Sequence, residues 1–325
     1  MSDATRLLSD PAPAGVGAGG PAALRAVLLV NPEAGMRRAT ARDVVDTLHQ
    51  RGALEEVTTT TRSGEATDIA RQAAAGGADV VLVCGGDGTI NEAVNGLAGS
   101  ATALGVLPAG TVNVWAREVG IPLDPRRAAA LVWEGERRWI DLGRAGSRYF
   151  LLMAGIGFDA DVTAQITRPE KRRWGALAYL YRGIGTALRW PRQRMRIQLD
   201  DRALRRRNLF LVLGNTRLYG GVTSITHHAV ADDGLLDVCM FDADGIWERL
   251  LHFARVVTRS HTSVPTVEYY RARSVTLVTR PRVPVQVDGD WIGETPMTFE
   301  AVPHALKVVV PRGSVNGLFL HPPHD

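Results

Sequence analysis

Lysine is almost missing from this chain of 325 residues: only Lys171 and Lys307 occur. Neither sits in a glycine-rich loop, which excludes a Walker-type phosphate loop with its lysine. Cysteine is as scarce. Cys84 and Cys239 lie far apart, so there is neither a disulfide framework nor zinc-ligand spacing, and Cys84 reads as a small core residue at a strand end. Long hydrophobic runs are lacking too; the apolar stretches, such as 209–213, have strand length and fall far short of a membrane span. Residues 1–24 lack the basic-then-apolar order of a secretory signal, and their Ala, Gly, Pro and Ser content reads as a disordered tail. Cytoplasm is the compartment these absences leave.

The apolar share of 45% is ample for sizeable cores, and the length favours two domains over one. The net charge of +4 is unevenly spread. Between Arg168 and Arg207, 13 Lys or Arg stand against Glu170, Asp200 and Asp201, a local +10 that leaves about −6 for the rest.

Residues 25–113 alternate strand and helix signals: strands at 27–30, 57–61, 80–84 and 104–107, helices around 44–48, 64–75 and 90–97. Such alternation predicts a doubly wound parallel sheet with helices on both faces. After Asp141 the pattern changes to short β-rich runs (149–153, 195–199, 209–213, 236–241, 274–279, 283–287 and 306–310), which predicts an antiparallel β-sandwich interrupted by a helix at roughly 172–190. The expected division is a tail at 1–24, an α/β domain at 25–140, a β-rich domain at 141–310 and a segment at 311–325 returning to the first domain.

The run Cys84-Gly85-Gly86-Asp87-Gly88-Thr89-Ile90-Asn91-Glu92 turns a buried strand into a helix through glycines. Glycines allow close backbone approach, and free N–H groups at a helix start attract phosphate. A carboxylate there suggests an intervening Mg²⁺, hence phosphoryl transfer. By themselves the same residues fit equally a tight turn with Asp87 placed against the helix dipole. Two more turns, 31–35 and 108–113, and the strand end at Thr59-Thr60-Thr61 occur at equivalent strand ends, where parallel sheets bind ligands.

In order, Asn31-Pro32-x-x-Gly35, Gly85-Gly86-Asp87-Gly88-Thr89-x-Asn91-Glu92 and Leu107-Pro108-Ala109-Gly110-Thr111-x-Asn113 resemble the nucleotide-binding half of the diacylglycerol/sphingosine lipid kinases, especially the soluble bacterial diacylglycerol kinases. Ala154-Gly155-Ile156-Gly157-Phe158-Asp159-Ala160, Gly214-Asn215-Thr216, Ala231-Asp232-Asp233-Gly234-Leu235-Leu236-Asp237 and Val287-Asp288-Gly289-Asp290 continue the match over about residues 25–315. The resemblance implies an ATP-dependent kinase acting on a lipid primary hydroxyl, diacylglycerol first, with a sphingoid or other lipid, NAD phosphorylation, or a non-catalytic lipid- or nucleotide-binding role as alternatives. It implies ATP contacts from Asn31, Pro32, Gly35, Thr60, Gly85, Gly86, Asp87, Gly88, Thr89, Asn91, Glu92, Thr111 and Asn113, with Asp288 joining this set. Asp87 is expected near the catalytic Mg²⁺. A structural Mg²⁺ would sit on the Asp233 side chain and the carbonyls of Val230 and Leu235.

The family's Asp-Gly-Glu reads here as Asp288-Gly289-Asp290. Asp290 is the expected general base, one methylene short, so its oxygens retreat by ~1.5 Å. Compensation by the backbone, participation of Glu294 or Asp288, and weak activity are all left open.

In the basic stretch, Trp174, Leu177, Tyr181, Ile184 and Leu188 recur at helical spacing between cationic flanks. This suits an anionic membrane surface under a peripherally bound enzyme. A packed helix with a solvated arginine face is the plainer alternative. Nucleic acid lacks a recognised motif or stacking platform here and is not expected as a partner; a homodimer is compatible. His227-His228, with no third ligand nearby, reads as polar surface.

Overall fold

The computed structural model describes residues 24–35, 38–157, 193–207, 209–221, 223–242, 251–252, 255, 264, 266–313 and 317–323. The expected tail (all but its last residue), the helix at 172–190 and the Phe158-Asp159-Ala160 end of one motif lie outside these residues. The chain divides into two units. The first holds the described residues up to Arg138 with 306–313 and Pro323; the second holds those from Trp139 to Ala305 with 317–322.

In the first unit, strands β1 (Ala26–Val30), β2 (Leu54–Thr59), β3 (Val80–Gly85) and β4 (Ala103–Pro108) pair in parallel in the order β2-β1-β3-β4. Every residue of β1, β3 and β4 is buried, as continuous β-branched and leucine runs require when helices cover both sheet faces. The helices are α1 (Arg38–Gln50), α2 (Glu65–Ala75), α3 (Asp87–Leu97), α4 (Val114–Val119) and α5 (Pro125–Glu134). Right-handed crossovers put α1, which steps outward from β1 to β2, on the face opposite α2 and α3, which step back through β3 to β4. Accordingly α2 packs on α3 and α1 on α5. The strand order reverses between β1 and β3, the topological switch point of such sheets.

Helix α5 is absent from the sequence expectation although its start is signalled. Asp124 caps it by accepting from the Arg126 N–H (3.0 Å), and Pro125 takes the first helical position. Helix α3 begins at Asp87, one turn earlier than expected, because Gly86 is the extended residue before it.

The second unit is an antiparallel sandwich. One sheet contains β5 (Glu136–Ala145), β6 (Arg148–Phe150), β8 (Arg194–Leu199), β9 (Arg202–Arg207), β15 (Ser274–Arg280) and the first part of β18 (Met297–Val310). The other runs β14-β13-β10-β7-β16-β17, with β7 Met153–Ile156, β10 Leu209–Gly214, β13 Leu236–Asp242, β14 Val267–Ala272, β16 Pro284–Val287 and β17 Asp290–Glu294. A separate two-stranded pair joins β11 (Leu218–Tyr219) to β12 (Thr223–Ser224). Phe150, Met195, Ile197, Leu211, Leu213, Val238, Met240, Val275, Leu277, Val285, Val287 and Phe299 fill the space between the two large sheets.

Three boundaries differ from the sequence expectation. The run at 149–153 is two strands, β6 and β7, because the N–H groups of Leu151, Leu152 and Met153 turn aside to the Asp288 carboxylate. Residues 306–310 belong with the first unit, where Lys307 pairs with Ala103 and Val308 with Leu104. Residues 317–322 lie with the second unit instead of the first: Ala231 N–H donates to the Leu318 carbonyl (2.8 Å), and the N–H groups of Leu320 and His321 donate to Asp232 (2.7 and 2.9 Å). Among the described residues no helix is long and apolar enough to cross a membrane.

Candidate active site

The three turns of the first unit are bonded into one rim. Asn31, after β1, donates from its backbone N–H to the Cys84 carbonyl (2.9 Å) and from Nδ2 to Thr89 Oγ1 (2.8 Å). Its Oδ1 caps the short turn Pro32–Ala34 by accepting from Glu33 N–H, and Gly35 closes that turn. Thr60, buried at the end of β2, donates its N–H to the Val30 carbonyl (2.9 Å). Ala109 N–H donates to the Gly85 carbonyl (3.1 Å). A Cβ added at Gly110 would lie 2.6 Å from the Gly86 Cα, so these two turns touch backbone to backbone and admit no side chain at that point.

Helix α3 starts with no side-chain cap, since Gly86 offers none. Its leading N–H groups therefore look for an external acceptor, and Gly88 is exposed with open space around it. Asp87, in the first turn, does not point away from the protein framework. Its Oδ1 accepts from Val114 N–H (2.7 Å) and its Oδ2 from Asn113 N–H (3.1 Å), so the carboxylate clasps the start of α4. Asn113, at positive φ, locks the third turn with two bonds to Gly110 (each 2.9 Å), leaving Thr111 exposed at the tip. Asn91 is buried and bonded by Asn95. Glu92 faces another way: its carboxylate receives Ala66 N–H and Ser63 Oγ (both 3.3 Å), which places it at the start of α2. Burial pushes the Cys84 thiol up to about 12, so it stays protonated and inert.

In the second unit, Asp288 and Gly289 are the two central residues of the β16–β17 hairpin, both at positive φ, with Val287 opposite Asp290. An Asp-Gly pair between alternating apolar positions is the sequence signal for this turn. Asp288 accepts three backbone N–H bonds, from Leu151 (2.7 Å) and from Leu152 and Met153 (2.9 Å each). Asp290 stands at the mouth of the hairpin, its side chain 51% exposed, with Arg148 Nη2 at 3.1 Å. It shares a face with Val287, which points into the sandwich, while Trp291 on the outer face is 58% exposed. Glu294 lies at the far end of β17, about 13 Å along the strand. Neither Glu294 nor the fully engaged Asp288 is placed to replace Asp290. Arg148 belongs to no motif in the sequence, and only the packing of β6 brings it to the hairpin.

The loop at 230–235 fits a divalent ion poorly. Asp233 Oδ1 accepts from Leu235 N–H (3.0 Å), and its Oδ2 is ion-paired with Arg271, which stands directly across from Asp237 on β14. The guanidinium already supplies the positive charge that this acidic loop needs, so an ion on Asp233, Val230 and Leu235 would have to displace it. Asp237 is fully buried; Tyr269 OH donates to it (2.6 Å), and burial raises its carboxyl to about 6. Asp141, also buried, is raised in the same direction while His304 and Gly234 N–H groups (2.8 and 2.6 Å) hold it back. His227 and His228 stack against Tyr269. Among the described residues no cluster of three or more His, Cys, Asp or Glu suits a metal.

Comparison with known proteins agrees with this arrangement. Residues 25–145 match the diacylglycerol kinase catalytic domain, and residues 153–310 match the YegS C-terminal NAD kinase beta sandwich-like domain. A protein of Mycobacterium tuberculosis named diacylglycerol kinase is 36% identical over 257 residues, 76% of this chain and 82% of the relative. One of Staphylococcus saprophyticus with the same name is 29% identical over 297 residues, 90% and 97% of the two chains. The crystal structure of a diacylglycerol kinase from Bacillus anthracis superposes with a TM-score of 0.76 at 24% identity over 90% of this chain and 99% of that one. With this identity to the Mycobacterium relative over three quarters of its length, the chain belongs to the diacylglycerol kinase family.

Proposed function

We propose that this protein is an ATP-dependent lipid kinase that moves the γ-phosphoryl group from ATP to the primary hydroxyl of diacylglycerol, releasing ADP. The observation that carries the reading is the uncapped start of α3, ringed by the Asn31, Gly85 and Ala109 turns, none of which contains a lysine. Backbone N–H groups and the helix dipole there favour the phosphates of a nucleotide. Asp290 takes the proton of the lipid hydroxyl as oxygen attacks phosphorus. Arg148 orients that carboxylate through its Nη2 contact. A divalent metal, bound with the nucleotide, would supply charge neutralisation to the phosphates, with Asp87 the carboxylate available to its waters.

The names carried by the Mycobacterium and Staphylococcus relatives support diacylglycerol as first substrate. The shortened, arginine-paired Asp290 favours one second reading, a relative that binds but no longer turns over. The test is ATP consumption by the full-length chain with Mg²⁺ and diacylglycerol in mixed micelles, beside sphingosine and NAD. Phosphatidic acid as main product supports the proposal. Preference for sphingosine or NAD, or ATP binding with no product, would replace it.

A further inference from the structure

Strands β15, β8 and β9 carry an unneutralised arginine face. In β8, Arg194, Arg196 and Gln198 are exposed while Met195, Ile197 and Leu199 are buried in the sandwich. The register sets Arg194 between Arg280 of β15 and Arg207 of β9, and Arg196 between Val278 and Arg205. Five arginines thus stand in two cross-strand rows on one outward face, with exposed Val278 among them. None of the five has an acidic partner among the described residues. The nearest acid on β8's own turn, Asp200, is spent on the N–H groups of Arg273 and Ser274.

Arginines of the same hairpin that point the other way are treated differently. Arg206 makes a two-pronged pair with Glu268 (2.7 Å to each oxygen), and Arg202 lies over the Tyr270 ring at 4.9 Å. Like charges directly opposite one another weaken a sheet, so the outward rows cost stability that the inward residues do not. Protection of an edge strand from aggregation accounts for charge on β9. It does not account for Arg194 and Arg196 on the inner strand β8, or for Arg280 beyond it.

We propose that this face docks on an anionic lipid bilayer. The proposal deepens the lipid-kinase reading and rests on it for the reason to meet a bilayer. A broad array of guanidinium groups with a small apolar side chain between them complements a surface of acidic headgroups, which attracts each cation at short range. Nucleic acid is the less suitable partner, because the described residues of this face include no aromatic side chain on which a base could stack.

The experiment is flotation of the full-length chain with phosphatidylcholine vesicles with or without phosphatidylglycerol, in the absence of ATP and over a range of salt. Binding should require phosphatidylglycerol and fall as salt rises. Each arginine changed to glutamine should weaken it about fivefold, so Arg194→Gln with Arg196→Gln, Arg205→Gln and Arg207→Gln together lose at least ~100-fold. The same variant should melt no lower than the wild type, since like charges facing across strands are removed, and should keep its turnover on micellar diacylglycerol. Unchanged vesicle binding by that variant would overturn the proposal, and so would tighter binding to an RNA homopolymer than to the vesicles. Salt-sensitive, arginine-dependent vesicle binding without any turnover in micelles would keep the docking face and remove the kinase reading.

Discussion

Asp288 and Asp290 sit two residues apart on one hairpin in opposite surroundings. The first accepts three backbone N–H bonds and holds the β6–β7 junction in place; the second meets Arg148 at the surface. Asp87 in the first unit resembles Asp288, because it clasps the start of α4 with both oxygens. Carboxylates bound by several backbone donors build a site, and a half-exposed carboxylate can take a proton from a substrate. On the proposed reading Asp288 serves architecture and Asp290 chemistry, while Asp87 both clasps α4 and faces the waters of the metal.

The largest expected effect tests that division directly. Asp290→Asn should lower turnover by roughly 10²–10⁴-fold, the usual range for a lost general base, with ATP affinity and thermal stability unchanged. Kinetics beside a nucleotide-binding titration separate the two, and unchanged turnover would remove Asp290 from the mechanism. Asp288→Ala should do the reverse to stability. Three N–H groups lose their acceptor, and unfolding in urea should show a loss of about 3 kcal/mol; a loss below ~0.5 kcal/mol would show that water serves them as well.

A third outcome concerns the cation at the acidic loop. Because Arg271 already faces Asp233 and Asp237, chelation with EDTA should leave the melting temperature in place. Arg271→Gln should destabilise by about 2 kcal/mol, since it leaves buried carboxylates without their partner. A saturable rise in wild-type melting temperature with Mg²⁺ would instead give that position to the metal. The smallest effect is on pH. Asp237 titrates near 6 in the folded chain and near 3.8 as the ordinary carboxyl, so the folded state holds its proton longer. The stability it contributes is present below about pH 4 and lost as pH climbs through 6. Asp237→Asn should flatten the fall in stability between those limits relative to wild type; parallel curves would contradict it.

Much of the first unit is legible in its sequence. The runs at β1, β3 and β4 are apolar throughout because both sheet faces are covered, and the glycine turns mark the strand ends. The second unit is harder to read, since β9 has only Leu204 buried and is otherwise mostly arginine, and β14 alternates weakly. Glu92 and Asp87 adjoin one motif, yet one faces α2 and the other α4. Their spacing on the helix is readable, but which neighbour each face meets is set by packing.

The sequence by itself determined the alternating elements of the first unit, the β-rich character of the second and the glycine turns at the strand ends, because hydrophobic period and turn chemistry are local properties. Only the tertiary structure decided which carboxylates are consumed by backbone donors, that Arg148 reaches Asp290 and Arg271 reaches Asp233, and that five arginines align on one face. Those outcomes depend on strand register and on contacts between residues distant in sequence, such as Arg148 with Asp290 and Asp288 with Leu151. No local pattern encodes them.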